Sequence, residues 1–368
     1  MSLKKQFGKL PTKALKKYYS KSVYWKDNEF KNLVETKIDV NIHTLPKMLY
    51  KMIFEREGRE PNKTIPIESF DKSSFMMPSD EAKFIWFGHS VLLFNINGTI
   101  IFIDPMMGPN ASPTAPFSTK RFSENTLEIL DELPDIDYLI LSHDHYDHLD
   151  LESIEKLMPK TKHYLVALGV ARHLESWNIP VEKITEFDWW QSFDTGNIKI
   201  TFTPSRHFSG RAIIDKAQSF WGGWVFETPT EKIYFSGDGG YGEHFKEVGK
   251  KMGPFDIGFM ECGQYNENWH DIHMYPEETV KASIDAKVNS VVPVHWGAFA
   301  LSQHPWDESV NRFAKEAEQT DITPNYPKLG QCYTIKQVNN ERWWKEFNQT
   351  HLSKKTTNKN DNYQRNKF

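Results

Sequence analysis

Leu139-Ile140-Leu141-Ser142-His143-Asp144-His145-Tyr146-Asp147-His148 decides how this chain is read. Apolar residues that suit a buried strand run straight into an H-x-H-x-D-H cluster. In extended backbone alternate side chains share a side, so His143 and His145 can hold one metal ion together. The chain must then turn, which presents Asp147 and His148 to a second ion. Asp144 falls out of register with the metal-facing side and is expected either to hydrogen-bond behind the ligands or to serve as a strand-end turn aspartate. So many ligand-type side chains at the end of a buried strand are costly unless something binds them. The bland alternative is a polar turn that binds nothing.

A pair of four- to five-coordinate sites needs more ligands than one loop offers. Three further candidates each stand at the end of an apolar β run: His207 after Thr203-Pro204-Ser205-Arg206, Asp238 within Phe235-Ser236-Gly237-Asp238-Gly239-Gly240, and His295 after Pro293-Val294. Glycines beside Asp238 let backbone come close to the ions. Taken singly, each could be a core histidine or a turn aspartate. His89 in Gly88-His89-Ser90 and His273 before Met274-Tyr275-Pro276 are candidates for contacts behind the ligands or with substrate, with a satisfied structural histidine as the alternative for each.

Outward from these motifs the chain reads as strands with interspersed helices. Strands are expected at 84–87, 91–96, 99–103, 138–141, 164–167, 198–203, 219–227, 233–235, 257–260 and 291–294, with Asn97-Gly98 as a tight hairpin turn. Helices are expected from Pro276 and over 306–319. Two packed β-sheets flanked by helices fit this order, although the pattern alone does not separate that from other α/β layers. Before the strands, residues 1–80 form a Lys-rich extension expected to pack on or near the body. Within it Leu45, Met48, Leu49, Met52 and Ile53 are spaced for a helix that buries one face against protein, with membrane contact as the minor reading. Residues 81–350 make the main domain, and 351–368, with almost nothing to bury, read as a disordered polar tail.

The composition narrows the class. The 368 residues carry a formal net charge of -4 with 39% hydrophobic residues, enough for a sizeable core. Residues 1–63 hold 15 Lys/Arg against 7 Asp/Glu, so the extension is basic while the body is acidic. The acidic body and the lack of an added nucleic-acid-binding region argue against nucleic acid as a partner. Cys262 and Cys332 alone cannot build a disulfide framework and suit a reducing compartment. With no signal-like start and no spanning segment, the chain reads as cytoplasmic, with room for a peripheral role at the inner face of the membrane.

The order H-x-H-x-D-H, then His, Asp and His resembles the metallo-β-lactamase superfamily. That resemblance implies an αββα four-layer sandwich with two divalent metal ions. His143, His145 and His207 would hold the first, Asp147, His148 and His295 the second, and Asp238 would bridge them. Zinc is the default, and manganese or iron can occupy such a set. Within the superfamily, Trp86-Phe87-Gly88-His89-Ser90, Asp104-Pro105, Ser112-Pro113, Lys120-Arg121-Phe122, Gly237-Asp238 and His295-Trp296-Gly297 with Phe299-Ala300-Leu301 are similar to the N-acylphosphatidylethanolamine-hydrolysing phospholipases D and their lactonase-like relatives. Phe208-Ser209-Gly210 departs from that branch beside the substrate pocket.

The resemblance implies hydrolysis by a hydroxide shared between two ions, with Asp238 and Asp147 at the reacting centre. A phospholipid phosphodiester is the first substrate expectation, a small sugar lactone, phosphorylated or not, the second, and a non-catalytic metal-binding scaffold the third. A homodimer is the assembly the branch suggests. Lys120-Arg121 could greet a phosphate or form a solvated pair. Trp189-Trp190, Trp221 and Trp224 are expected to pack the sandwich rather than line a lipid groove.

Overall fold

The computed structural model describes residues 3–348, apart from 40, 42 and 113–118. The tail expected over 351–368 lies outside the described residues.

Two seven-stranded sheets form the body. The first runs, edge to edge, Cys332–Thr334, Lys83–Trp86, Leu92–Ile96, Thr99–Ile103, Ile136–Leu141, Thr161–Ala167 and Ile184–Phe187. The second runs Thr323–Pro324, Val288–Val294, Phe255–Glu261, Lys232–Phe235, Gly223–Glu227, Lys199–Thr203 and Ser192–Asp194. Strands such as Leu92–Ile96 and Lys83–Trp86 are buried along their whole length because each sheet is covered on both faces. Aromatic side chains interlock between the sheets: Phe84 and Phe94 meet Phe259 with ring centroids 5.0 and 5.2 Å apart, and Phe187 meets Trp224 at 5.3 Å. Outside the first sheet lie helices Thr126–Glu132 and Leu151–Leu157; outside the second lie His244–Lys251, Pro276–Asp285 and Glu308–Ala317. This is the expected αββα sandwich.

The hairpin turn is as expected, with Asn97 at φ 52° and Gly98 at φ 83°, the two positive angles that a two-residue turn of this hand requires. Other boundaries shift for physical reasons. The strand expected over 219–227 begins at Gly223, because the preceding backbone bonds elsewhere: Phe220 N–H to the Leu168 carbonyl, Gly222 N–H to that of Ser142. The helix expected from 306 begins at Glu308, after Pro305.

The basic extension lies against the body. Tyr19 and Phe30 are buried, and Phe30 stacks on Phe220 with centroids 4.8 Å apart. Helix Leu45–Phe54 forms where expected, but its burial corrects the sequence reading. Ile53, expected on the buried face, is 61% exposed, with Tyr50 and Phe54 exposed beside it. Gln303 Nε2 donates to the Met48 carbonyl at 3.2 Å, while the turn that carries Ile53 faces outward. Trp189, Trp221 and Trp224 are buried in the sandwich, as expected. Arg121 is neither a phosphate contact nor solvated. It is buried, donating to the carbonyls of Phe87, Met106 and Gly108, while Lys120 is exposed.

Candidate metal centre

Strands of each sheet deliver the candidate residues to one end of the sandwich, outside their carboxyl ends, where open α/β sheets place ligands. Ile136–Leu141 feeds His143 to His148, and the chain turns there through Leu149 N–H to the His145 carbonyl, 2.8 Å. Lys199–Thr203 leads to His207, Lys232–Phe235 to Asp238 and Val288–Val294 to His295. Gly237, at φ 62°, lets the loop carrying Asp238 touch the neighbouring strand. A Cβ there would stand 2.3 Å from the Gly222 carbonyl oxygen.

All seven expected ligands converge. His143 Nε2 and His207 Nε2 stand 2.9 and 3.2 Å from His145 Nδ1. Beside them, His148 Nε2 lies 3.0 Å from Asp238 Oδ2 and 3.7 Å from Asp147 Oδ2, and His295 Nδ1 lies 3.1 Å from Asp238 Oδ1. Asp238 Oδ2 is also 3.9 Å from both His143 Nε2 and His207 Nε2. Asp238 therefore stands between the two clusters, its Oδ2 within 3.9 Å of histidines of both and its Oδ1 beside His295.

The protons on these rings show what the clusters lack. His207 Nδ1 faces the Ile272 carbonyl at 3.0 Å, so it carries the hydrogen and Nε2 is a lone pair. Ser142 Oγ donates to Asp104 Oδ2 and therefore accepts from His143 Nδ1 at 2.9 Å, which leaves His143 Nε2 as a second lone pair. Both lone pairs point at His145 Nδ1, and one ring proton could satisfy only one of them. His148 repeats the pattern: Nδ1 donates to Asp104 Oδ2 at 2.7 Å, and Nε2 is turned toward carboxylates. His148 Nε2 and Asp238 Oδ1 are buried without a hydrogen-bond partner. Acceptors packed against acceptors in a buried site call for cations, and nitrogens with carboxylates suit zinc-like ions.

The electrostatics agree at His143, His207 and His295, and differ at His148. Burial, reinforced by neighbouring histidines, holds His143, His207 and His295 well below the usual imidazole range, so they stay neutral and able to ligate. For His148 burial pulls the same way, but Asp238, Asp147 and Asp104 overcome it and raise it well above that range. Asp147 and Asp238 feel the opposing push of burial and are nonetheless lowered, chiefly by His148.

The remaining candidates sit around this core. His89 Nε2 meets Asp147 Oδ2 at 2.9 Å, and its ring packs on His295 with centroids 4.1 Å apart. His273 lines the cleft, its Nδ1 held 3.2 Å from Oε1 of the buried Glu261. Asp144 turns away, fully buried, accepting from Gly210 N–H at 2.7 Å, from His173 Nε2 at 3.1 Å and from Ser219. It anchors the ligand loop from behind, as its register implied. Sequence reasoning missed the roles of Asp104 and Glu261. Asp104 had surfaced only as part of a motif, and its φ of 42° is invisible in the sequence. Glu261 ends an apolar strand, and that position was its one signal.

Above the ligands opens a cleft of about 390 Å³. The candidate ligands His145, Asp147, Asp238 and His295, with Tyr146, Gln264 and His273, are taken as its floor; the rest of the lining, taken as its rim, is apolar: Ile38, Ala111, Phe208, Trp269, Ile272 and Leu301.

A centre of this kind at this end of an αββα sandwich defines a metal-dependent hydrolase fold, and the family model for the beta-lactamase superfamily domain matches residues 99–296. The chain belongs to the metallo-β-lactamase superfamily. An uncharacterised Mycobacterium tuberculosis protein is 35% identical over 312 residues, 83% of each chain. N-acyl-phosphatidylethanolamine-hydrolyzing phospholipase D 1 of Caenorhabditis elegans is 29% identical over 252 residues, 65% of this chain and 70% of that one. In fold, the chain is similar to Igni18, a metallo hydrolase from the archaeon Ignicoccus hospitalis, with a TM-score of 0.54 at 18% identity over 69% of this chain and 97% of that chain. Among the described residues no helix is long and apolar enough to cross a membrane.

Proposed function

We propose that this protein is a dinuclear phosphodiesterase that cleaves an N-acylphosphatidylethanolamine or a related glycerophospholipid. The domain doing so would be residues 81–350, carrying the basic extension 1–80. The observation that carries the reading is the cleft itself, with a ligand-rich floor and an apolar rim, and with no Lys or Arg among the described residues that line it. A phosphorylated sugar lactone asks for polar and cationic walls; a headgroup whose acyl chains lie across an apolar rim does not. The similarity to the worm phospholipase supports the same substrate class.

Bound divalent ions supply activation of water and neutralisation of charge on the phosphate oxygens. The chain's own residues do the rest. Asp238 would bridge and Asp147 would ligate beside it at the open side of the floor. His273, held through Nδ1 by Glu261, has Nε2 left to meet the substrate and can deliver a proton to the leaving oxygen. Burial would lower His273, but the Glu261 contact together with the charges of Asp238 and Asp147 outweighs it and raises it, while burial pushes Glu261 up to about 7. Asp104, Ser142 and Ile272 fix which nitrogen of His148, His143 and His207 faces the centre.

Peripheral contact with the inner face of a membrane belongs to the same proposal. Helix Leu45–Phe54 carries Lys47 and Lys51 and no acid, and it exposes Tyr50, Ile53 and Phe54. Gln303 holds it through the Met48 carbonyl, two residues along from Leu301 at the cleft rim. A homodimer, the assembly implied by the resemblance, could use the same face, and the mass of the free protein in solution distinguishes the two uses.

The test is product formation by zinc-loaded protein offered N-acylphosphatidylethanolamine in one arm and sugar lactones in another. Release of phosphatidic acid is the expected result. Turnover confined to lactones would replace the phospholipid assignment, and no turnover by fully metallated protein in either arm would leave a metal-binding scaffold.

A further inference from the structure

Residues 28–39 of the basic extension form a strap laid across the two loops that flank the first metal cluster. Asn28 O accepts from Gln218 Nε2 at 2.7 Å, and Phe30 N–H donates to the Ala217 carbonyl at 2.9 Å. Further along, Glu35 O and Thr36 Oγ1 accept from the guanidinium of Arg206 at 2.8 and 3.2 Å. Lys37 N–H meets Asp271 Oδ2 at 2.8 Å, Asp39 N–H meets the Asn268 carbonyl at 2.6 Å, and Ile38 between them enters the cleft rim.

At the centre of the strap Asn32 makes the contact that reaches the ligands. Its Nδ2 donates to the His207 carbonyl at 2.7 Å, and its Oδ1 accepts from the His207 N–H at 3.1 Å. A side-chain amide thus pairs with both polar groups of one residue's backbone, as a neighbouring strand would. The same Oδ1 accepts from the indole Nε1 of buried Trp221 at 3.0 Å, which fixes the amide's orientation. His207 follows the strand Lys199–Thr203 after a gap in which no ladder holds its backbone. Its ring is aimed from outside by the Ile272 carbonyl, and its backbone is aimed by Asn32.

We infer that the strap is a working part of the metal centre, and that Asn32 is the positioning residue that holds His207 in place as a ligand. The inference rests on His207 being a ligand of the first metal ion. A positioning partner of a ligating histidine is worth about 10- to 100-fold in metal affinity, and the amide pair does for His207's backbone what such a partner does for a ring.

Three full-length proteins test it: wild type, Asn32→Ala and Asn32→Asp, each titrated with zinc against a chelating indicator and each melted in metal-free form. Wild type is expected to bind two equivalents. Asn32→Ala is expected to weaken one equivalent by about 10- to 100-fold and to leave the other unchanged, with a metal-free melting temperature close to wild type. Asn32→Asp, which keeps the acceptor for the His207 N–H and loses the donor to its carbonyl, should fall between. Two equivalents held by Asn32→Ala as tightly as by wild type would overturn the inference. So would loss of both equivalents together with a matching fall in metal-free melting temperature, which marks Asn32 as purely structural. Failure of wild type to bind two equivalents would instead strike the dinuclear reading beneath it.

Discussion

His89 and His295 lie ring against ring, centroids 4.1 Å apart, each with its backbone in the left-handed region at φ 54° and 67°. Backbone bonds lock the pair: His295 N–H donates to the His89 carbonyl at 2.9 Å, and His89 N–H donates to the Trp296 carbonyl at 2.7 Å. Two such residues side by side at a candidate site store strain that their surroundings must hold. The arrangement carries His89 Nε2 to Asp147 and braces the His295 ring beside the second cluster. His89→Asn removes the ring while retaining a residue that tolerates the left-handed backbone. The equivalent of metal assigned by our proposal to Asp147, His148 and His295 should weaken by about 10- to 100-fold. An unchanged zinc titration would mean that His89 plays no part in holding it.

His273 and Glu261 should separate from the ligands in their effect. If His273 delivers a proton to the leaving group, His273→Ala lowers kcat by about 100- to 10,000-fold, with both metal equivalents retained. Glu261→Gln, which keeps the side chain's shape, should give a smaller fall in kcat with KM little changed. Loss of metal from His273→Ala would make it a ligand instead.

The exposed face of helix Leu45–Phe54 should govern access to lipid but not the chemistry. Replacing Tyr50, Ile53 and Phe54 together by serine is expected to abolish co-sedimentation with anionic phospholipid vesicles. Turnover of a short-chain, monomerically dissolved substrate should stay at the wild-type level. Undiminished vesicle binding by the triple variant would place the membrane contact elsewhere.

His244 supplies a pH dependence away from the metal ligands. It is buried with Nε2 unpartnered, and burial, helped by the positive charge of Arg206, lowers it to about 3. The unfolded chain takes up a proton near the ordinary value of 6.5, while the folded protein does not. Stability is therefore unaffected by this group above pH 6.5 and falls as pH drops below it. At pH 5 the loss is about 2 kcal/mol. Chemical denaturation of His244→Leu beside wild type at pH 8 and pH 5 should show the variant losing less stability on acidification by about that amount. Equal losses would show that His244 is protonated in the folded state.

What the sequence revealed depended on how locally the information is written. The H-x-H-x-D-H cluster is legible because six consecutive positions contain four candidate ligands, and strand-end placement pointed to His207, Asp238 and His295. The residues that fix ring orientation were not legible, because Asp104 reaches Ser142 and His148 across a parallel strand pair and Glu261 reaches His273 around a loop. Periodicity misjudged Ile53 because it locates an apolar stripe without saying whether anything covers it. Arg121 was misread for a related reason. A cation beside a loop suggests an anion or solvent, and only the fold shows three backbone carbonyls waiting for it.

The most direct test of a two-metal hydrolytic centre built on Asp238 is to measure metal content and turnover together in wild type and in Asp238→Asn. Wild type should carry two equivalents of divalent metal, lose turnover when they are stripped and regain it when they are restored. Asp238→Asn should remain folded, hold fewer than two equivalents and show no turnover. Full activity in metal-stripped wild type, or in Asp238→Asn, would contradict it.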